Sequence, residues 1–160
     1  MRSSRTYDPL AVAGRDRGFT LIEVLTVVAL VGVLTLVALP SYTSHKNKVL
    51  SLHAAQEIAA MSSSASNYWN DARAYPTNLA DIGMAGKTDP WGRPYVYYNI
   101  AANGLGGARK DHALNPINTD FDLYSVGPDG KTKPQVSQND SLDDVIRANN
   151  GAFVGRAADF

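Results

Sequence analysis

The chain contains no cysteine. That excludes disulfides, thiolate nucleophiles and cysteine-ligated metals together. An exported domain of this size without disulfides must be held by its core or by another device, such as a bound ion. Charge of one sign is not in excess either: 15 basic residues balance 15 acidic ones, so composition gives no expectation of nucleic-acid binding. The three histidines, His45, His53 and His112, show no ligand spacing. Ser125-Val126-Gly127 is not a nucleophile elbow. Asn103-Gly104-Leu105-Gly106-Gly107 lacks the Lys-Ser/Thr pair and following helix of a phosphate cradle. No internal repeat and no catalytic constellation is visible, so the chain reads as a non-enzyme without an organic cofactor.

Long apolar runs, by contrast, are present. Phe19 to Leu39 holds one charged residue, Glu23, in 21 positions. At about 1.5 Å per residue such a helix covers roughly 30 Å, the thickness of a bilayer core. A cleavable secretory signal has a shorter apolar stretch, of about 7–15 residues, followed by a small-residue cleavage site. A buried soluble helix is seldom so long and apolar on all sides. The flanks are asymmetric. Arg2, Arg5, Arg15 and Arg17 precede the run against Asp8 and Asp16, while eight Asp follow from Asp111 onward against Lys131, Lys133, Arg147 and Arg156. Short basic flanks stay cytoplasmic, so the expectation is a single-pass anchor with its C-terminal domain exported. Glu23 is the anomaly. A carboxylate in hydrocarbon is costly unless paired or neutralised, and no Lys, Arg or His lies within the run. A cation from outside the chain is the expected partner, unless Glu23 reaches the headgroups. Pro40 closes the run as a potential kink, and Gly32 adds a weaker one.

Helical spacing continues after the run. Leu50, Ile58, Met61, Ala65, Tyr68, Trp69 and Ala72 recur at three- and four-residue steps, and Tyr75-Pro76 ends the pattern. Asp89-Pro90-Trp91-Gly92 reads as a turn and Asn103–Gly107 as a loop. Tyr95 to Ile100 and Phe121 to Val126 read as strands, the second stopped by Gly127-Pro128-Asp129-Gly130. Ser141 to Asn150 reads as a short helix capped by Ser141, with Asp143 and Asp144 in its first turn. Two or three antiparallel strands need an apolar partner, and the long helix supplies one. The expected class is α+β: a long N-terminal helix, half membrane and half soluble, packed on a small antiparallel sheet.

Gly18-Phe19-Thr20-Leu21-Ile22-Glu23, followed by the apolar run, resembles the prepilin processing motif of type IV pilins and type II secretion pseudopilins. The resemblance implies cleavage between Gly18 and Phe19 by a membrane prepilin peptidase, and N-methylation of Phe19. It also implies pairing of Glu23 with the N-terminal amine of a neighbouring subunit as a filament grows, and it places Pro40 at the family's helix-kinking proline. Cleavage creates a cation one helical turn from Glu23. Attraction in low dielectric is strong but largely offset by desolvation, so the pair would set register more than stability. Tyr75-Pro76, Asp89-Pro90-Trp91-Gly92-Arg93-Pro94-Tyr95 and Phe121-Asp122-Leu123-Tyr124-Ser125-Val126-Gly127-Pro128-Asp129-Gly130 are similar to the major pseudopilins of type II secretion. The chain then divides into a leader (1–18), a transmembrane and filament-core helix (19–40), the soluble half of that helix (41–75) and a small antiparallel sheet with acidic loop and tail (76–160).

The implied partners are further copies in a homo-oligomeric filament, minor pseudopilins, the prepilin peptidase and an inner-membrane assembly platform, with no nucleic acid. The implied location is the bacterial inner membrane, then a periplasmic filament. Three features depart from the family pattern: a long leader, an apparent insertion over residues 101–114, and an extended tail after Gly130. A type IV pilin therefore stays open, and from another class so does a monomeric membrane-anchored periplasmic binding domain. The resemblance further implies a structural calcium site: the Val126 carbonyl, Asp129, Asp143 and Asp144, with Asn139 and Asp140 as weaker candidates. Calcium takes six to eight hard oxygens. The alternative from the residues alone is that Asp129 serves its turn and that Asp143 and Asp144 serve a helix N-terminus.

Overall fold

A computed structural model describes residues 18–160. The leader, apart from Gly18, lies outside the described residues. Helix α1 runs Leu21–Ala72 and continues through Pro40. By contacts the chain divides into Met1–Ser41 and Tyr42–Phe160. In the first unit the large apolar side chains stand open, Leu21 at 78 % and Leu36 at 77 % exposure among them. α1 is, among the described residues, the one helix long and apolar enough to cross a membrane, with a mean hydropathy of 2.6 over its most apolar window.

In the second unit α1 buries Ala54, Ile58, Met61 and Ala65, steps of four, three and four that align one face. This face meets Tyr95, Phe121, Leu123 and Val145. Full burial of each large apolar side chain contributes about 1.5–3 kcal/mol. The helix stops at Ala72 because Arg73 turns left-handed, φ 56°, ahead of Tyr75-Pro76. Pro76 is buried, and its carbonyl accepts from the Tyr97 hydroxyl at 2.9 Å and from Asn99 Nδ2 at 3.0 Å.

The sheet is an antiparallel meander, β1 (Val96–Asn99), β2 (Phe121–Ser125), β3 (Val145–Ala148) and β4 (Phe153–Arg156), in chain order. A four-residue helix, α2 (Ile100–Asn103), follows β1, so Ile100 leaves the expected strand, and a 3-10 turn at Leu105–Gly107 lies within the expected loop Asn103–Gly107. Registers are set by pairs such as Tyr97 with Leu123, Tyr124 with Ile146, and Arg147 with Val154. Side chains alternate across the sheet. Phe121, Leu123 and Val145 join the helix-side core, whereas Ile146 and Ala148 join Ile117, Val136 and Ala157 in a second core.

Two expectations are corrected. Residues 141–150 form no helix beyond 3-10 turns at Asn139–Ser141 and Asn149–Gly151; Val145–Ala148 is a strand. Val145 and Ile146 are β-branched, and both bury fully between β2 and β4, a larger gain than a short exposed helix offers. The sheet also has four strands, because the tail returns as β4. Asn149, Asn150 and Gly151, at φ 52°, 54° and 95°, make the reversal with residue types that accept left-handed backbone.

Candidate functional site: a capped helix start and a clasped acidic loop

At the start of α1 the structure supplies Glu23 with partners inside its own chain. Glu23 Oε2 accepts from the Thr20 amide at 3.2 Å and from the Thr20 hydroxyl at 3.1 Å. The Glu23 amide donates to Thr20 Oγ1 at 3.3 Å. This is a capping box, Thr at the cap and Glu three residues on, and it sets a carboxylate at the positive end of the helix dipole. The Thr-x-x-Glu spacing was legible, but a search for a cation passes over it, since the partners are an amide and a hydroxyl. Phe19, next to the cap, is 85 % exposed. The capped carboxylate thus lies four residues after Phe19 in the chain.

In the C-terminal unit the two turns of the resemblance lock onto each other. Asp89 is buried and accepts from the amides of Trp91 (3.0 Å) and Arg93 (2.9 Å), and from the Ser125 hydroxyl at 2.5 Å. Ser125 Oγ in turn accepts from the Gly127 amide at 3.1 Å. The Arg93 guanidinium donates to the carbonyls of Gly127 (2.7 Å) and Pro128 (3.3 Å). Gly127 has φ +66°, and a Cβ there would lie 2.5 Å from the Asp143 carbonyl oxygen, so glycine is required.

The calcium residues divide into two groups. Asp129 and Asp143 come together: the Asp129 amide donates to Asp143 Oδ2 at 3.2 Å. Burial raises the Asp143 carboxyl pKa, with the Asp129 charge adding to the rise against hydrogen bonding from the Asp129 amide. Asp144, fully buried, turns to Arg109 instead, with Arg109 Nη2 to Oδ2 at 2.7 Å, and accepts from the Thr132 hydroxyl at 2.6 Å on the same oxygen. Burial pushes the Asp144 carboxyl up to about 6, against the pull of Thr132 and Arg109. Asn139 and Asp140 lie in the 3-10 turn, and Asp140 sits 3.8 Å from Lys133 Nζ. Among the described residues no three His, Cys, Asp or Glu side chains converge to hold a metal ion. Asp129, Asp143 and Asp144 thus do not converge as one carboxylate set for a cation that needs six to eight oxygens, since Asp144 is engaged by Arg109.

A second buried arginine, missed from the sequence, completes the sheet. Arg147 donates to Asp120 Oδ1 and Oδ2 at 2.8 and 2.6 Å, to the Phe121 carbonyl at 2.9 Å and to Ser62 Oγ on α1 at 2.9 Å. Its guanidinium stacks 3.9 Å from the Phe121 ring centre.

A capped apolar N-terminal helix leading into a helix-backed four-stranded meander defines a pilin-like subunit. The prokaryotic N-terminal methylation motif matches residues 14–39. The chain is 31 % identical to the type II secretion system core protein G of Dickeya chrysanthemi, over 72 % of this chain and 80 % of that one. It is 28 % identical to the protein of the same name from Escherichia coli, over 73 % and 85 %. It is also 29 % identical to a fimbrial protein of Neisseria meningitidis, over 89 % and 85 %. No solved structure matches it significantly. The chain belongs to the type II secretion system core protein G family, the major pseudopilins.

Proposed function

We propose that the chain is a structural subunit of a type II secretion pseudopilus, whose work is assembly and not catalysis. Residues 1–18 are a leader removed by the prepilin peptidase, which then methylates Phe19. Residues 19–40 hold the subunit in the inner membrane in a single pass, with the C-terminal domain periplasmic. The assembly platform and minor pseudopilins then draw it into a filament with its own copies, where Glu23 meets a neighbour's amine and Pro40 allows the helix to adjust. The observation that carries this reading is the one carboxylate in an apolar helix, capped by Thr20 next to Phe19. In the capped state Glu23 is satisfied as a monomer in the membrane. A neighbouring ammonium adds a charge-assisted partner that a monomer cannot supply.

The test is expression of wild type and Glu23→Ala with a prepilin peptidase and a complete secretion apparatus. Mass spectrometry should show Phe19 as a methylated N-terminus in both, and electron microscopy should show filaments in wild type alone. Normal filaments from Glu23→Ala would remove the assembly role of that side chain. One observation favours a second reading as a type IV pilus subunit: the fimbrial relative aligns over more of this chain than the secretion proteins do. Restoration of protein export in a strain lacking its major pseudopilin, without surface pili, separates the two.

A further inference from the structure

A cation from the connection between β1 and β2 reaches the loop between β2 and β3. Arg109 is 3 % exposed, and its backbone is pinned on both sides. Its amide donates to Asp122 Oδ2 at 2.6 Å, and its carbonyl accepts from the Ile117 amide at 3.0 Å. From there the guanidinium lies 4.3 Å from the ring centre of Tyr124 on β2. Nη1 donates to Thr132 Oγ1 and Nη2 to Asp144 Oδ2. One side chain therefore joins β2 to both arms of the loop, at Thr132 and at Asp144 just before β3. Among the described residues, the two buried side-chain polar atoms without a hydrogen-bond partner are Arg109 Nε and Asp144 Oδ1. They are a donor and an acceptor on the two members of one ion pair. The pair is therefore joined through one contact, Nη2 to Oδ2, while Nε and Oδ1 make no hydrogen bond with each other or with any other group.

We propose that Arg109 is the resident cation of this loop, so that the domain closes its acidic tail without calcium. Two observations converge. Asp144, the most buried of the acidic candidates, is neutralised by a guanidinium in direct contact. The loop carbonyls of Gly127 and Pro128 are held by a second guanidinium, that of Arg93. A divalent ion placed against Asp144 would meet the Arg109 charge at contact distance. An arginine also fits the chemistry of a loop without disulfides: it is always charged and needs no ion from the medium.

The experiment follows Trp69 and Trp91 fluorescence during thermal unfolding of the full chain in detergent micelles. Wild type is expected to melt at the same temperature in millimolar calcium and in excess chelator. R109Q leaves a buried carboxylate unpaired, so its midpoint should fall by roughly 10 °C. R109Q/D144N, which removes both charges, should recover much of that loss. A calcium-dependent rise in the wild-type midpoint would overturn the proposal. So would a double variant whose loss equals the sum of the two single losses, because an ion pair demands coupling. If R109Q does not fold, the wild-type comparison and the folding of the double variant still decide.

Discussion

The Tyr95 hydroxyl donates to Glu57 Oε2 at 2.6 Å, tying the approach to β1 onto α1. Lys87 reaches the other oxygen of Glu57 at 3.0 Å. Burial raises the Glu57 pKa, but hydrogen bonds from Tyr95 and Lys87 and the charges of Lys87 and His53 outweigh it and hold the net value low. A depressed carboxylate contributes stability above its unfolded value, about 4.3, and loses it as pH falls through the folded value. Glu57→Gln should therefore melt lower than wild type at neutral pH, by the equivalent of about 1 kcal/mol. The difference should close in acid. Parallel melting curves across the whole acid range would count against this role.

Tyr95 and Tyr97 titrate in the opposite sense. Burial raises both, the Glu57 hydrogen bond adding at Tyr95 and the Asp120 charge at Tyr97. The folded state keeps their protons above the ordinary tyrosine value of about 10, so stability is full below that pH and falls as pH rises beyond it. Ultraviolet titration should show these two ionising only together with loss of the sheet's circular dichroism signal. Ionisation of Tyr95 and Tyr97 in a fully folded domain would contradict it.

Gly127→Ala adds a Cβ at φ +66°, 2.5 Å from the Asp143 carbonyl oxygen. Left-handed strain and the clash with backbone should cost about 2 kcal/mol or more. Gly83→Ala offers the control: φ is +73° but nothing lies within 4 Å of the added atom. Urea unfolding of the two variants separates crowding from strain.

Arg147→Met should lower stability by about 3–5 kcal/mol, because it leaves Asp120 without its fork and Ser62 without its donor across to α1. Asp120→Asn keeps most of the geometry, so a smaller loss is expected. Equal losses in denaturant melts would show that the charge, and not the hydrogen-bond network, dominates.

Thr20→Val removes one of the two donors to Glu23 and keeps the amide. Filament yield should fall less than with Glu23→Ala, with processing at Gly18 and Phe19 intact in both. Quantified filaments from matched expression levels give the comparison.

The sequence by itself determined the anchor, the processing motif, the odd position of Glu23 and the class of fold. These rest on local regularities: the length of the run from Phe19, a helical stripe through Ile58 and Met61, and turn chemistry at Asp89 and Gly127. The tertiary structure decided what each acidic residue does. Asp143 and Asp144 are neighbours in sequence, yet one receives the Asp129 amide and the other Arg109. Adjacent residues at the entry to a strand point to opposite faces, and nothing local says which face holds a buried guanidinium brought from 35 residues away. The same limit hid β3 and Arg147, whose partners are set by strand pairing rather than by spacing. At the helix start the opposite held: Thr20 and Glu23 are three residues apart, so the cap was in the sequence, and the structure showed which atoms close it.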